Sequence, residues 1–472
     1  GVALGDGVAI VGNTTGPFSF EPCWAYELGP GGWAAAAALP PDELTNLYGA
    51  AVGIWGDTAV VGGQDLNDAD VAAYVFERVG GAWAKSAKLF VPGSAWQLSD
   101  GMAVAIEGDT IVVASPYYYA VHVFERSGGA WSLTQSIAPT PGSGFGNYGW
   151  SLSLRGGRLV IGGCAVNAGV DCVGTAWIYE RQAGVFVETA QLLTSGGDQY
   201  DLASLGLAQS GDTIVLGAPG LDLGYTDMSI GGVFVFEFDG ASWSQTALLT
   251  APAPDFDDHF GNAVALQDDV LVVGAFRSDD LASNAGAVFV YHREGRAWTL
   301  LSSLYADEPV ANAHFGRSLA LSGDTLMIGA GANSGQNDDR VHVLRGVPGL
   351  ADWTPVGGAV AGVAGTPCAF GSGPPAVGQA ATVTLTGALP AAPGWLVLGL
   401  QRLNAPFKGG VLVPAPELLL PLATDGQGGH SFSWSWPAAA PPGLELWLQH
   451  WVVDAGGPSG LSAGNGLHVD VP

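Results

Sequence analysis

Five aspartates in two neighbouring polar segments form the densest group of carboxylates that could make a functional site. Asp255, Asp257 and Asp258 stand in one short segment, and Asp279 and Asp280 follow in the next polar one. Carboxylate oxygens are hard ligands that suit Ca²⁺, and a carboxylate pair can act as acid and base on a glycosidic bond. The group is therefore a candidate calcium site. The alternative, which the sequence favours, is solvated acids that keep the protein soluble, and we predict no required cofactor.

The histidines do not form a recognisable catalytic set. The chain has 8 histidines, and two of them, His259 and His314, occupy the same place just before Phe-Gly, which is typical of a scaffold residue. No phosphate-binding loop or zinc-binding helix motif is present. We therefore predict that the protein is not an enzyme. The alternative is a polysaccharide hydrolase or lyase, which would need a carboxylate pair in a groove beside Tyr117, Tyr118 or Tyr119.

The chain has 4 cysteines, which allow two disulfides. Cys164 and Cys172 flank a loop between two predicted strands, so we expect a local bond between them. Cys23 and Cys368 lie near the two ends of the repeated region described below, and a bond between them would clamp it. The alternative for this second pair is two small buried thiols. Disulfides would suit an oxidising, extracellular compartment.

Composition excludes several classes of protein. A formal net charge of −28 argues against nucleic acid and against anionic membrane surfaces as partners. Hydrophobic residues make up 48% of the chain, beside 73 glycines and 29 prolines, which indicates a turn-rich β protein rather than a disordered one. No apolar run is long enough for a membrane span. Gly1–Leu4 aligns with the strand-like Ala263–Leu266, so we expect a signal peptide and some further sequence to be missing before residue 1.

A repeated phrase predicts the scaffold that positions these residues. Asp109-Thr110-Ile111-Val112-Val113 and Asp212-Thr213-Ile214-Val215-Leu216 are two of its seven occurrences. The residues that close the apolar runs are Gly12, Gly62, Ala114, Gly162, Gly217, Gly274 and Gly329. A repeat of about 50 residues made only of short strands and turns is typical of a β-propeller with one four-stranded blade per repeat. We therefore predict an all-β, seven-bladed β-propeller.

Strand alternation divides each blade into two ends. The turns between the first and second strands and between the third and fourth are short, and we call their end the short-turn end. The other connections are longer, vary in length and define the long-loop end. Acids concentrate there: besides the five aspartates above, they are Asp65, Asp68, Asp70, Asp198, Asp201, Asp222, Asp227, Asp307, Glu308, Asp338 and Asp339. Variable loops on a rigid scaffold are where propellers bind partners, so we expect any functional surface here.

An aromatic residue opens the fourth predicted strand of every repeat. The seven are Trp33, Trp83, Trp131, Phe186, Trp243, Trp298 and Trp353. Such a ring could be a carbohydrate platform. Because the residue recurs in all repeats, packing of blade on blade is the favoured interpretation.

The repeat resembles the FG-GAP repeat of integrin α-subunit propellers and of many bacterial secreted proteins. The motifs that carry the resemblance are Tyr48-Gly49, Tyr148-Gly149, Phe260-Gly261 and Phe315-Gly316, with Gly217-Ala218-Pro219, Gly274-Ala275-Phe276 and Gly329-Ala330-Gly331. The resemblance implies a propeller over residues 1–360. It does not supply calcium ligands, because the integrin-like Asp-rich loop is replaced by tight turns such as Gly56-Asp57-Thr58.

Residues 361–472 lack the repeat and carry short strand-like segments separated by Gly and Pro. We predict a small C-terminal β-sandwich, which is similar to the C-terminal modules of planctomycete-type secreted proteins. Trp434, Trp436, Trp447 and Trp451 alternate along its strands. Core packing is favoured for them over a sugar site.

These observations predict a secreted or cell-surface protein that acts in recognition, adhesion or structure and is not an enzyme. Its partner would be a protein or glycan at the cell surface, or further copies of the chain in an extracellular assembly. Besides the enzyme alternative, a glycan-binding protein remains open and would need an exposed tryptophan on the sandwich.

Overall fold

The structure is a computed structural model of the 472-residue chain. It describes all residues except 6, 13–20, 30–31, 44, 66–70, 92–102, 116–119, 140–144, 168–169, 196–204, 223–228, 332–339, 346, 348–352, 356–358, 365–366, 373–379, 427, 438–443, 465 and 471–472. No helix in the described residues is long and apolar enough to cross a membrane.

The repeated region forms seven successive antiparallel sheets. The first contains β1 (Val2–Gly5), β2 (Val8–Val11), β3 (Cys23–Gly29) and β4 (Gly32–Leu39). The second contains β5 (Thr45–Asn46), β6 (Val52–Trp55), β7 (Thr58–Asp65), β8 (Val71–Val79) and β9 (Ala82–Phe90). The third contains β10 (Val104–Glu107), β11 (Thr110–Ser115), β12 (Ala120–Ser127) and β13 (Ala130–Ile137). The fourth contains β14 (Phe145–Arg155), β15 (Arg158–Asn167), β16 (Val170–Gln182) and β17 (Val185–Leu193).

The last three sheets of the repeated region follow the same order. The fifth contains β18 (Gly206–Ser210), β19 (Thr213–Ala218), β20 (Gly232–Phe238) and β21 (Trp243–Leu249). The sixth contains β22 (Phe260–Gln267), β23 (Val270–Ala275), β24 (Ala287–Glu294) and β25 (Ala297–Leu304). The seventh contains β26 (Ser318–Ser322), β27 (Thr325–Ala330) and β28 (Arg340–Arg345).

The chain then builds the C-terminal strands. They are β29 (Trp353–Pro355), β30 (Cys368–Ser372), β31 (Ala380–Thr386), β32 (Pro393–Gly399), β33 (Arg402–Phe407), β34 (Gly410–Pro414), β35 (Leu418–Ala423), β36 (His430–Ser435), β37 (Glu445–Val453), β38 (Leu461–Ala463) and β39 (Leu467–Asp470), with a 3₁₀ turn at Pro458–Gly460. One sheet has the order β29-β39-β37-β32-β35, with β38 paired to β37, and a second has the order β30-β31-β36. The fold is therefore a β-propeller followed by a β-sandwich, as the sequence predicts.

The turns at the short-turn end require positive φ angles, which most residues avoid. Gly56 and Gly211 have φ of 53° and 52° in the first turn of their sheets. Asp268 takes the same place in the sixth sheet with φ of 53°. Glycine, and to a lesser degree aspartate, reaches this left-handed region at low cost, which explains why these two types recur there.

Successive sheets approach each other closely at their first strands. β1, β6, β10, β14, β18, β22 and β26 lie next to one another in this order, and β26 also lies next to β1. At the long-loop end, a Cβ added to Gly217 would collide with the carbonyl oxygen of Gly261, and one added to Gly274 would collide with that of Gly316. The glycines of these two Gly-Ala phrases thus pack on the Phe-Gly glycine of the next repeat.

The seventh sheet corrects one expectation. Trp353 was expected to open its fourth strand, but β29 pairs with β39, with Trp353 opposite Val469. Three strands make up this sheet in the described part of the chain. Ala320 and Met327 of this sheet share a core cluster with Ala9 of the first.

The chain divides into two compact units. One comprises Gly1–Phe289, Ser303–Ser322 and Met327–Val343, and the other comprises Val290–Ser302, Gly323–Leu326 and Leu344–Pro472. Within the second unit, Leu396, Leu448 and Val452 of the five-strand path share the sandwich core with Val383 and Leu385 of β31.

Candidate recognition surface

Three long segments at the long-loop end are hydrogen-bonded into one surface. We call residues 255–260, 276–286 and 305–315 the loop cluster. The backbone N–H of Asn312 donates to the carbonyl of Ser283 at 2.8 Å, and that of His314 donates to the carbonyl of Asn284 at 3.1 Å. The Tyr305 hydroxyl donates to Oδ2 of Asp280 at 2.9 Å. The segment between β23 and β24 is thus fixed to the segment that precedes β26.

The same bonding pattern occurs one repeat earlier, which explains the repeated histidine. His259 N–H donates to the carbonyl of Ser229 at 3.2 Å, as His314 does to Asn284. His259 and His314 both have left-handed backbone, with φ of 56° and 53°. The scaffold interpretation of these two histidines fits the structure.

Aspartates fasten these loops by accepting backbone hydrogen bonds. Oδ1 of Asp222 accepts from the N–H of Ser229 at 2.6 Å, and Oδ1 of Asp279 accepts from the N–H of Asn284. Ser229 and Asn284 have φ of 45° and 50°. A carboxylate that satisfies the N–H of such a residue stabilises a turn that the backbone alone would disfavour.

Phe276 links the two histidines of the loop cluster. Its ring lies 5.3 Å from that of His259 and 5.4 Å from that of His314, both nearly edge to face. The guanidinium carbons of Arg277 and Arg317 lie 5.6 and 5.8 Å from the same ring. This residue stands where the Gly-Ala-Pro phrase has proline, and it holds neighbouring repeats together.

The five candidate metal ligands lie near one another but serve other partners. Asp257 accepts from Arg277 and lies 2.7 Å from Nε2 of His259. Asp255 accepts from the N–H of Phe256 at 2.7 Å, and Asp258 accepts from that of Asp255 at 2.8 Å. Asp279 and Asp280 fasten the loop as described above. No group of three or more His, Cys, Asp or Glu side chains in the described residues could hold a metal ion.

Asp258 is the carboxyl most perturbed by this arrangement. It is 4% exposed. Burial, together with the charges of Asp280, Asp255 and Asp279, raises its pKa to about 6, and the backbone hydrogen bond from Asp255 opposes the rise. Burial also lowers the pKa of His259 and of His314. The site therefore holds a carboxyl that is largely neutral at mildly acidic pH.

Three apolar side chains are exposed on the loop cluster, one on each segment. Phe256, Leu281 and Val310 are 60%, 56% and 54% exposed. The exposed carboxylates beside them in the sequence are Asp255, Asp279, Asp280, Asp307 and Glu308. Among the described residues, no ion pair with Lys or Arg engages these five. Apolar tips bordered by unneutralised acids on fixed loops form a surface suited to binding.

Several predicted residues cannot be placed on this surface. Asp68, Asp70, Asp198, Asp201, Asp227, Asp338 and Asp339 lie outside the described residues, as do Tyr117, Tyr118 and Tyr119. The backbone of Asp65 belongs to β7, but the structure does not describe its side chain.

The short-turn end carries a ladder of ion pairs that the sequence analysis missed. Arg126 donates to Glu77 of the preceding sheet at 2.8 Å and to Asp109 of its own sheet at 2.7 Å. Arg78 makes the equivalent bonds to Glu27 at 2.9 Å and to Asp57 at 2.6 Å. The signal was the dipeptide Glu-Arg just before the second turn, as in Glu77-Arg78.

The ladder continues to the fourth sheet and explains the aromatic ring. Arg181 lies 2.7 Å from Glu125 of the third sheet. The guanidinium groups of Arg78, Arg126 and Arg181 lie within 6 Å of the aromatic residue that opens the fourth strand, at 5.7, 5.3 and 4.9 Å. These aromatics also pack into cores shared by neighbouring sheets. The structure thus supports blade packing rather than a sugar platform.

In the sandwich, most of the singled-out tryptophans are buried. Trp436, Trp447 and Trp451 are buried and Trp434 is half-buried, which supports the core interpretation. Trp395 of β32, by contrast, is 41% exposed. His450 is fully buried with its Nε2 3.4 Å from Nδ1 of His430, and burial followed by the charge of His430 lowers its pKa to about 3.

The structure describes the side chains of two of the four cysteines, Cys23 and Cys164. Cys164 is buried in β15, and the side chain of Cys172 in β16 lies outside the described part. That bond stays a prediction. Cys23 is a buried thiol, and the side chain of Cys368 is not described, so the structure does not support a bond between them.

Comparison with known proteins gives one family match, to part of the propeller, and solved structures of limited similarity. Residues 243–291 and 298–343 match the family model of the FG-GAP repeat. Hydrazine synthase of Kuenenia stuttgartiensis is similar in structure, with a TM-score of 0.47, 13% identity, and coverage of 73% of this chain and 94% of that one. Hsv2 of Kluyveromyces lactis has a TM-score of 0.41, 9% identity, and coverage of 72% and 94%. No curated protein matched the chain.

Proposed function

We propose that the protein is a secreted or cell-surface recognition or structural protein without enzymatic activity. In this proposal the seven sheets are the blades of one closed propeller, and the loop cluster contacts the partner. The observation that carries it is the set of exposed apolar tips, Phe256, Leu281 and Val310, bordered by carboxylates and held on loops that are fixed by hydrogen bonds. A fixed surface of this kind binds without first ordering its loops. The FG-GAP match supports an extracellular setting.

The enzyme alternative has less support. A polysaccharide hydrolase or lyase needs two carboxylates that face each other across a groove. Asp279 and Asp255 instead accept backbone hydrogen bonds within their own loops, and Asp257 is paired with Arg277. The proposal accordingly assigns the acids of the loop cluster to structure and to contact, with Ca²⁺ not required.

One observation supports a glycan-binding role. Trp395 is exposed on the sandwich, opposite Pro421 of β35. An exposed indole face can stack on a sugar ring. Titration of soluble polysaccharides against tryptophan fluorescence of the wild type and of Trp395→Ala tests this role, which requires quenching in the wild type alone.

A rebinding experiment tests the main proposal. Labelled protein is returned to stripped cells that produce it, and retention is compared between wild type and the triple variant Phe256→Ser, Leu281→Ser and Val310→Ser. We expect at least about tenfold weaker retention of the triple variant, since three apolar anchors are removed at once. The matched control is Val79→Ser with Val185→Ser, two exposed valines elsewhere on the propeller, which we expect to rebind normally. Equal retention of all three proteins, or new reducing ends when wild type is incubated with polysaccharides, would contradict the proposal.

A further inference from the structure

A hairpin in the sandwich unit carries exposed apolar side chains on both of its faces. β33 and β34 pair only with each other among the described strands, with Phe407 opposite Gly410 and Pro406 opposite Val411. Leu403, Phe407 and Val411 are all exposed, although each is apolar. Large apolar side chains gathered on one short hairpin mark a contact site more often than three scattered ones would.

The hairpin is fixed in place rather than loosely attached. Lys408 and Gly409 form its two-residue turn with φ of 49° and 88°, the left-handed pair that matches strand twist. The ring of Phe407 lies 5.1 Å from that of buried Trp451, edge to face. The buried amide of Gln449 donates to the carbonyl of Val411 at 3.1 Å and accepts from the N–H of Val413 at 3.0 Å.

The charge of the hairpin is opposite to that of the loop cluster. Arg402 and Lys408 are exposed on it, and no acid occurs from residue 402 to residue 414. This is uncommon in a chain with 43 acids and 15 Lys and Arg residues. The loop cluster has the complementary composition, with exposed Phe256, Leu281 and Val310 beside carboxylates that lack a cation partner in the described residues. The two surfaces are therefore complementary: both expose apolar side chains, and their charges are opposite.

We infer that the β33–β34 hairpin of one molecule binds the loop cluster of a second copy of the same chain. This inference rests on the proposed function, whose contact surface it assigns to self-assembly. The two surfaces are different, so the contact is heterologous, and repeating it adds molecules head to tail into a ring or an open filament. Opposite charges at the contact also offset part of the repulsion expected between copies that each carry a net charge of −28.

Carbodiimide cross-linking can detect this contact, and few other cross-links are expected because the chain has few lysines. The reagent joins a carboxylate to a nearby amine, and the only lysines of the chain are Lys85, Lys88 and Lys408. Lys85 and Lys88 already pair with Asp42 and Glu43. In an equal mixture of ¹⁵N-labelled and unlabelled full-length chain, we expect peptides that join Lys408 to a loop-cluster carboxylate such as Asp307 or Glu308. Mixed-label and unmixed pairs should be equally frequent.

Two single-surface variants test the head-to-tail geometry. A loop variant carries Phe256→Ser, Leu281→Ser and Val310→Ser, and a hairpin variant carries Leu403→Ser and Lys408→Asp. By light scattering, each alone should remain monomeric where the wild type forms larger species. Their equal mixture should stop at twice the mass of one chain, because only one intact hairpin and one intact loop cluster remain. Thermal unfolding of each variant shows whether it has folded, and Lys408→Arg, which keeps the charge and removes the amine, should assemble normally without the Lys408 cross-link.

The possible failures separate the two proposals. Unmixed Lys408 pairs only, or a wild type that stays monomeric at every concentration, would overturn the self-contact, and so would normal assembly of either folded variant. If the loop variant also loses rebinding to cells while the wild type is monomeric, the loop cluster recognises a different partner and the proposed function stands. If rebinding is unaffected as well, both proposals fail.

Discussion

The two ends of the propeller use charged residues in different ways. At the short-turn end, Arg78 and Arg126 each bridge two acids, one in their own sheet and one in the preceding sheet. At the long-loop end, Asp222 and Asp279 accept from backbone N–H groups of their own loops. Charge is thus neutralised between sheets at one end. At the other it shapes loops and leaves exposed acids such as Asp307 and Glu308 without a cation in the described part of the chain.

The difference fits the proposed function, which places the contact surface at the long-loop end. The long-loop end is held by close backbone packing, because Gly217 lies against Gly261 and Gly274 against Gly316. Its surface charges are consequently available to a partner. The short-turn end has little unneutralised charge in the ladder that links its sheets, and we assign it to the scaffold.

The largest expected effect comes from a methyl group placed between two sheets. Gly217→Ala should destabilise the propeller by about 3 kcal/mol or more, because its Cβ would collide with the Gly261 carbonyl, which is backbone and cannot move aside. Gly211→Ala is the control at the other end of the same strand, where an added Cβ meets open space and only the φ of 52° is unfavourable. It should cost only about 1 kcal/mol. Urea unfolding measures both, and equal losses would mean that close packing does not distinguish the two ends.

The next effect depends on pH and is specific to the loop cluster. The pKa of Asp258 is about 6 in the folded state against 3.8 for an unperturbed group. The folded protein therefore binds more protons than the unfolded one between these values, and stability falls as pH rises through them. Asp258→Asn removes this cost and should raise the free energy of unfolding by about 3 kcal/mol more at pH 8 than at pH 3.5. Its amide oxygen can still accept from Asp255.

Unfolding curves at several pH values for wild type and Asp258→Asn check this prediction. Asp307→Asn, a change at an exposed acid of the same surface, is the control and should leave the pH dependence as it is. If Asp258→Asn and wild type differ by the same amount at both pH values, Asp258 ionises in the folded protein without cost, which would contradict the prediction.

A smaller effect is expected where an aspartate fastens a loop. Asp279→Ala leaves the N–H of Asn284 without its acceptor and should cost about 1 kcal/mol. Because the loss is local, hydrogen exchange should rise about five- to tenfold in residues 276–286 and stay unchanged at the short turns. Asp307→Ala, which removes an exposed acid with no such bond, serves as the control. Faster exchange throughout the molecule would show that the loop is coupled to the whole propeller.

The sequence predicted the scaffold better than the site because the two depend on different interactions. Glycine in the first turns and in Phe-Gly reflects local backbone needs that recur in several repeats, so the repeats predict the sheets. Trp353 shows the limit: it continues the repeat pattern, yet β29 pairs with β39, whose sequence carries no sign of this partner. Non-local pairing of this kind overrides a local pattern.

The candidate calcium ligands show what spacing alone leaves undetermined. Sequence spacing places Asp255, Asp257 and Asp258 together, and the structure places Asp279 and Asp280 near them. Which atoms they engage depends on loop backbone such as the left-handed Asn284, which no motif encodes. Leu281 and Val310 were missed because a single apolar residue in a polar loop carries no periodic signal.

The smallest effect concerns the ladder at the short-turn end. Glu77 and Arg126 are each partly exposed, at 26% and 29% of the side chain, so their interaction energy should be at most about 1 kcal/mol in a double-mutant cycle of Glu77→Gln and Arg126→Gln. Raising the salt to about 1 M should reduce it further, since the Debye length falls to about 3 Å. The same salt change should leave the cost of Gly217→Ala unaltered, because that cost is steric. A coupling energy that is large or insensitive to salt would mean that ion pairs, rather than close backbone packing and the apolar cores between sheets, hold successive sheets together.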